Sequence, residues 1–384
     1  MLTKNINFKN FKYKKNYKNI LKLFDNLIKE NNDILKSLSN DYKDSFKNID
    51  LSKFKKYSII SIIGIGGSIL GAKCIYNFLK KKIKKKFIFK DDLEIKNLNN
   101  KKNLNLIISK SGNTLETITN SNILVKKNDP NIFITENKKN YLSTLALKLK
   151  SEIIHHNNFI GGRYSVLSEV GMLPAEMMGL SVKKFRKFDE LIKNKYFIKS
   201  LISNVSNTLY LIKKNKFNSV ILNYDPGSQD LFYWYQQLIA ESLGKKGKGI
   251  FPIISNMPKD NHSLMQLYLD GVQNNFYTFF FYKDNNSKRL KNNNILNTHK
   301  YLKDKKMSDI KYSQFAATIK VFLDKKIPFR TFEIKQKNEE TLGELFTFFI
   351  LETILLGKAM KINPYDQPAV ELIKSNTKKI ILKI

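Results

Sequence analysis

Residues 58–67 read S-I-I-S-I-I-G-I-G-G, an apolar run with almost no polar alternation that ends on three glycines within four positions. A strand apolar on both faces must be covered on both faces, which puts it inside a parallel sheet flanked by helices. Such a sheet obliges the chain to alternate strands with helices, and the rest of the sequence does so. A helix is expected over 68–79, with strands at 86–89, 104–108, 132–135 and 152–154. The rhythm restarts after helical segments between 164 and 213: strand 219–224, helix 228–242, strands 250–254 and 276–281, helix 313–323, strand 328–334 and helix 339–360. The expected fold class is therefore α/β, with two doubly wound parallel-sheet domains. Residues 1–50 read as a helical N-terminal arm, carried by Ile20, Leu21, Leu23, Phe24, Leu27 and Ile28 at helical spacing. The expected domains are 51–185 and 186–362, followed by a loop, a helix and a tail over 363–384. Residues 283–308, dense in Lys and Asn, read as a solvated excursion.

The formal net charge of +35 would ordinarily direct attention to a nucleic acid. The kind of cation argues otherwise, because arginine occurs only at 163, 186, 289 and 330 while lysine is spread along the whole chain. Base and phosphate readout favours the arginine fork. Neither a nucleic-acid nor a membrane partner is expected, and the runs Lys80 to Lys86 and Lys303 to Lys306 read as solvated surface. The single cysteine, Cys74, can form no internal disulfide. Residues 1–20 lack the apolar core of an export signal, and no stretch approaches the roughly 18 apolar residues of a membrane span. A cytoplasmic location is the expectation.

Chemistry concentrates in a few segments. Residues 105–117, N-L-I-I-S-K-S-G-N-T-L-E-T, run a strand into a polar loop and then a helix. Ser109, Ser111 and Thr114 offer hydroxyls, Lys110 a cation, and Gly112 close backbone approach, which suits a phosphate group; the alternative is a plain turn whose Ser and Thr cap the helix. The turn from Gly64 to Gly71 has the spacing G-x-G-G-S-x-x-G and does not match a dinucleotide fingerprint, so Gly67 and Ser68 are assigned to another ligand such as a sugar. Gly161-Gly162-Arg163-Tyr164-Ser165 sets a guanidinium behind two glycines, either to steady a developing oxyanion or as a helix-start ion pair. Glu241 closes an apolar, aromatic helix in Q-Q-L-I-A-E-S and is either a partly buried base or a solvated turn residue. His262 opens H-S-L-M-Q, and His155 with His156 lacks companions at metal-ligand spacing, so no metal is implied. The Pro-bracketed loop 363–368 fixes Gln367, and a short helix beyond it carries Lys374.

In this order the segments GIGGSxLG, SKSGNTxET, GGRYS, QQLxAES, H-x-x-x-Q and NPxDQPxVELxK resemble the glucose-6-phosphate isomerase family over residues 57 to 375. The resemblance implies two sugar-isomerase domains and a cofactor-free, metal-free homodimer acting on a sugar phosphate. It implies a phosphate site at Ser109, Lys110, Ser111 and Thr114, with Gly67, Ser68 and Gly162 lining the sugar and Gln367 near the phosphate. Arg163 is implied to steady an enediolate and Glu241 to move the proton between C2 and C1. His262, reaching in from the partner chain, and Lys374 are implied to open the ring. Ala369 and Ile373 stand where the family pattern has glycines. The S-G-N-T form of the loop also occurs in bifunctional phosphoglucose/phosphomannose isomerases and in sugar-phosphate sensors, which leaves activity toward mannose 6-phosphate, and a non-catalytic regulator, as alternatives.

Overall fold

A computed structural model of the chain describes residues 2–13, 17–94 and 103–384. Ten strands fall into two five-stranded sheets: β1 (Ile6–Lys9), β2 (Ile59–Ile63), β3 (Lys86–Lys90), β4 (Leu104–Ile108), β5 (Asn131–Glu136), β6 (Glu152–His156), β7 (Asn218–Asn223), β8 (Phe251–Asn256), β9 (Asn275–Tyr282) and β10 (Phe329–Ile334). The first sheet has the order β3-β2-β4-β5-β6 and is parallel throughout. The second has the order β1-β10-β9-β7-β8, parallel except for β1. The apolar runs behave as a sheet interior requires: every residue of β4, and Ile60, Ser61, Ile62 and Ile63 of β2, are buried.

The arm contains a strand ahead of its helices Lys18–Leu27 and Asp33–Leu38. Ile6 and Phe8 turn inward while Asn7 and Lys9 do not, a two-residue period too short for the sequence to distinguish from noise. Pairing Ile6 with Ile334 and Phe8 with Phe332 covers the edge of the second sheet, and Thr3 and Asn5 donate to the buried Glu344 carboxylate at 2.6 and 3.0 Å.

Two long helices tie the sheets together. The helix Glu339–Ala359 is buried along most of its length. The helix Gln229–Leu243 buries Leu231, Phe232, Trp234, Tyr235, Leu238 and Ile239, packs against Leu70–Phe78 of the first domain, and sets Trp234 edge-on to Phe346 at 4.8 Å. Its far end therefore reaches the first domain. The excursion of 283–308 folds as short 3-10 turns on the surface. Among the described residues, no helix is long and apolar enough to cross a membrane.

Candidate active site

In the first sheet the connection from β2 leads outward to β3, then reverses past β2 to β4. That reversal opens a crevice between the carboxyl ends of β2 and β4, where an open α/β sheet takes its ligand. Gly66–Ser68 follows β2 as a 3-10 turn and Ser109 to Thr114 follows β4, so both predicted loops reach the same crevice. Gly67 and Gly162 meet there backbone to backbone. A Cβ on Gly67 would lie 2.2 Å from the Gly162 carbonyl carbon and 2.6 Å from the Arg163 nitrogen, so no larger residue fits.

In the phosphate-type loop, Thr114 precedes the helix Leu115–Leu124 without capping it through its side chain; its hydroxyl and that of Ser109 are hydrogen-bonded at 2.8 Å. The plain capping reading of these hydroxyls is thus not what the fold uses. The helix's first backbone N–H groups, which lack intrahelical acceptors, point toward the loop. Gly112 serves a different need from ligand approach: its φ is +64°, and a Cβ there would sit 1.9 Å from Asn140 Oδ1. Burial foremost lowers the Lys110 ammonium below the usual lysine range, against the opposing pull of Glu136 at 3.6 Å; the charges of Lys138 and Arg163 add to the lowering.

Arg163 is fully enclosed, at 1 % exposure, and all its donors are used. Nε donates to Ser242 at 2.8 Å, Nη1 to Glu241 at 3.3 Å and to Gln367, and Nη2 to the carbonyls of Pro364 and Asp366 at 2.8 and 3.1 Å. One guanidinium thereby joins the 3-10 turn Gly162–Leu167, the end of helix Gln229–Leu243 and the loop 363–367. Glu241 is partly buried, its side chain 28 % exposed, and its other oxygen accepts from Gln237 Nε2 at 2.9 Å.

Gln237, Ser242 and Tyr164 lie inside the sequence motifs but have no role legible from sequence alone. Gln237 stands one helical turn before Glu241, the spacing at which side chains share a face, and that was the available signal. Its amide touches the Gly66 position, where a Cβ would lie 2.9 Å from Nε2, and its Oε1 is buried without a hydrogen-bond partner. Tyr164 and Ser242 share a 2.9 Å hydrogen bond, and Tyr164 donates to the Pro364 carbonyl at 3.0 Å. These links depend on segments about 80 and 200 residues apart in the chain.

Two predicted residues are not brought to this centre. Lys374, on the helix Val370–Ile381, is exposed and pairs with Glu371 at 2.6 Å. His262 is exposed on the turn Lys259–His262, beyond the carboxyl end of β8, whereas Gln236 of the Glu241 helix bonds Pro252 at the start of that strand. A six-residue strand spans roughly 20 Å, so His262 and Glu241 belong to opposite ends of the same sheet. Among the described residues, no group of three or more His, Cys, Asp and Glu could hold a metal ion.

Two parallel sheets with a ligand crevice at the first switch point define a protein of the sugar-isomerase fold. The chain superposes on a hypothetical protein from Thermus thermophilus with a TM-score of 0.82 at 21 % identity, covering 95 % of this chain and 94 % of that one. It superposes on a glucose-6-phosphate isomerase from Chlamydia trachomatis with a TM-score of 0.69 at 19 % identity, covering 86 % and 72 %. In sequence it is 32 % identical over 352 residues to a glucose-6-phosphate isomerase of Methanocaldococcus jannaschii, covering 86 % of each, and the phosphoglucose isomerase profile matches residues 27–384. The chain belongs to the phosphoglucose isomerase family.

Proposed function

We propose that the protein interconverts glucose 6-phosphate and fructose 6-phosphate as a cofactor-free aldose–ketose isomerase. The observation that carries this reading is the Glu241–Arg163 pair at 3.3 Å, set at the switch-point crevice beside a Ser/Lys/Ser/Thr loop. Family membership and the relatives' activity support the same conclusion. The reaction moves one hydrogen between neighbouring carbons, so substrate is its own oxidant and reductant. Glu241 accepts a proton from C2 and returns it to C1, and Arg163 offsets charge on the adjoining oxygen. Ser109, Lys110, Ser111 and Thr114 hold the phosphate, Gly67, Ser68 and Gly162 line the sugar, and Gln367 stands near the phosphate.

Ring opening falls to Lys374 and to His262 of a second copy in a homodimer. The position of His262 at the far end of β8 supports a donor from outside its own chain. Lys374 comes to the crevice by movement of its helix, no residue of which is buried. The reading places the enzyme in the cytoplasm.

The test is a coupled assay of fructose 6-phosphate conversion with a chelator present. Glu241→Gln is expected to bind phosphosugar and lose at least about 100-fold in kcat, the scale of a general base; unchanged turnover removes the role. Mixing the inactive E241Q and H262A variants restores turnover if sites are shared between copies, and continued inactivity of a mixture that exchanges subunits removes that arrangement. The same assay with mannose 6-phosphate decides whether the S-G-N-T loop brings a second substrate.

A further inference from the structure

The segment that presents Gly162 and Arg163 is fastened by a buried pair that the isomerisation does not use. His156 ends β6 and Glu169 begins the helix Glu169–Met177, so the two bracket the presenting segment in sequence. Both are 2 % exposed. His156 Nε2 lies 3.0 Å from the Ile160 carbonyl, and Nδ1 lies 3.5 Å from Glu169 Oε2. Between them the chain turns through Tyr164 N–H to Gly161 at 2.9 Å, Ser165 Oγ to the Gly162 carbonyl at 2.7 Å and Ser168 Oγ to the Ser165 carbonyl at 2.9 Å.

A carbonyl only accepts, so Nε2 carries a hydrogen. Nδ1 then faces a carboxylate oxygen that is also an acceptor, with neither atom exposed nor otherwise bonded. The two atoms form an ion pair whenever the imidazole is protonated. Burial pushes the Glu169 carboxyl up, but the His156 contact, a backbone N–H and, least of these, the Tyr42 hydrogen bond outweigh it and leave the group below the usual range. The other Glu169 oxygen accepts from Tyr42 at 2.9 Å, and Arg186, paired with Asp44 at 2.6 Å, stacks on the Tyr42 ring and donates to the Leu167 carbonyl at 2.9 Å.

We propose that His156 is a positioning residue for the isomerisation: by clasping Ile160 and Glu169 it closes both ends of the loop and fixes the seat of Arg163. The proposal rests on the role given to Arg163 above. The guanidinium must meet Glu241, Ser242 and three groups of the loop 363–367 at once, so a shift of its backbone misplaces every donor.

Turnover of fructose 6-phosphate by wild type, H156A, H156Q, E169Q, R163K and R163K/H156A tests it. H156A is expected to lower kcat about tenfold with KM little changed, the signature of misplacement rather than lost binding. H156Q, whose amide still donates to Ile160, falls between wild type and H156A. In the R163K background the H156A change costs little more, because its effect passes through Arg163. Wild-type kcat in H156A, or an equal loss in both backgrounds, overturns the clasp. Should H156A fail to fold, H156Q and E169Q run the same cycle, and wild-type kcat in both overturns it. If R163K itself keeps wild-type kcat, the role of Arg163 falls and the clasp with it; a slow R163K beside an unaffected H156A refutes the clasp alone.

Discussion

Replacing Gly67 by Ala probes the contact on which the crevice closes. The added Cβ would sit 2.2 Å from the Gly162 carbonyl carbon, 2.4 Å from its oxygen and 2.6 Å from Arg163 N, all backbone atoms that no rotamer change can move aside. Restoring an ordinary contact of 3.4 Å requires a separation of about 1.2 Å between the Gly66–Ser68 turn and the Arg163 segment. Overpacking of this kind costs about 1–3 kcal/mol of stability. The displacement also falls on Arg163, whose Nη1–Glu241 distance is already 3.3 Å, so the pair opens beyond hydrogen-bonding reach. A misplacement of about 1 Å at a reacting centre lowers rate by around 100-fold. The expected outcome is a folded G67A protein with a lower melting temperature and kcat for fructose 6-phosphate reduced about 100-fold. Gly161→Ala in the neighbouring motif is the control, since its Cβ would meet only Tyr164 at 3.8 Å and its φ of −66° suits any residue. A G67A enzyme with wild-type kcat, or equal losses in both variants, would refute the reasoning.

Lys110→Ala should weaken phosphosugar binding about tenfold or more, seen as a raised KM, the loss expected for one hydrogen bond to a charged group; an unchanged KM removes Lys110 from the phosphate site. The buried pair Arg330–Glu352, both 1 % exposed and joined to Asn204 and Tyr235, holds β10 to the helix Glu339–Ala359. Glu352→Ala strands the guanidinium and should cost about 3–5 kcal/mol in a denaturant titration. Glu339 links the domains through Lys82 at 2.6 Å. Burial pushes its carboxyl up, yet the Lys82 hydrogen bond and backbone N–H groups prevail and hold it below the usual range. A depressed folded value means its contribution is complete above about pH 4.3 and disappears as pH falls through the lower folded value. Denaturant midpoints measured from pH 3 to 7 should therefore decline less on the acid side in Glu339→Gln than in wild type.

The two parallel sheets are legible in the sequence, because a strand apolar on both faces has one stable environment, and β4 lies where its pattern put it, at Leu104–Ile108. The sequence also singled out the two loops that reach the crevice together, 66–68 after β2 and 109–114 after β4. It missed β1, whose four residues offer too short a period, and it left Gln237, Ser242 and Tyr164 without roles because their partners lie on other segments. That the guanidinium at 163 gathers Glu241, Ser242 and the 363–367 loop, and that His156 and Glu169 meet behind it, follows from how distant segments pack. Those contacts join residues far apart in the chain, and local periodicity carries no information about which distant surfaces the core will press together.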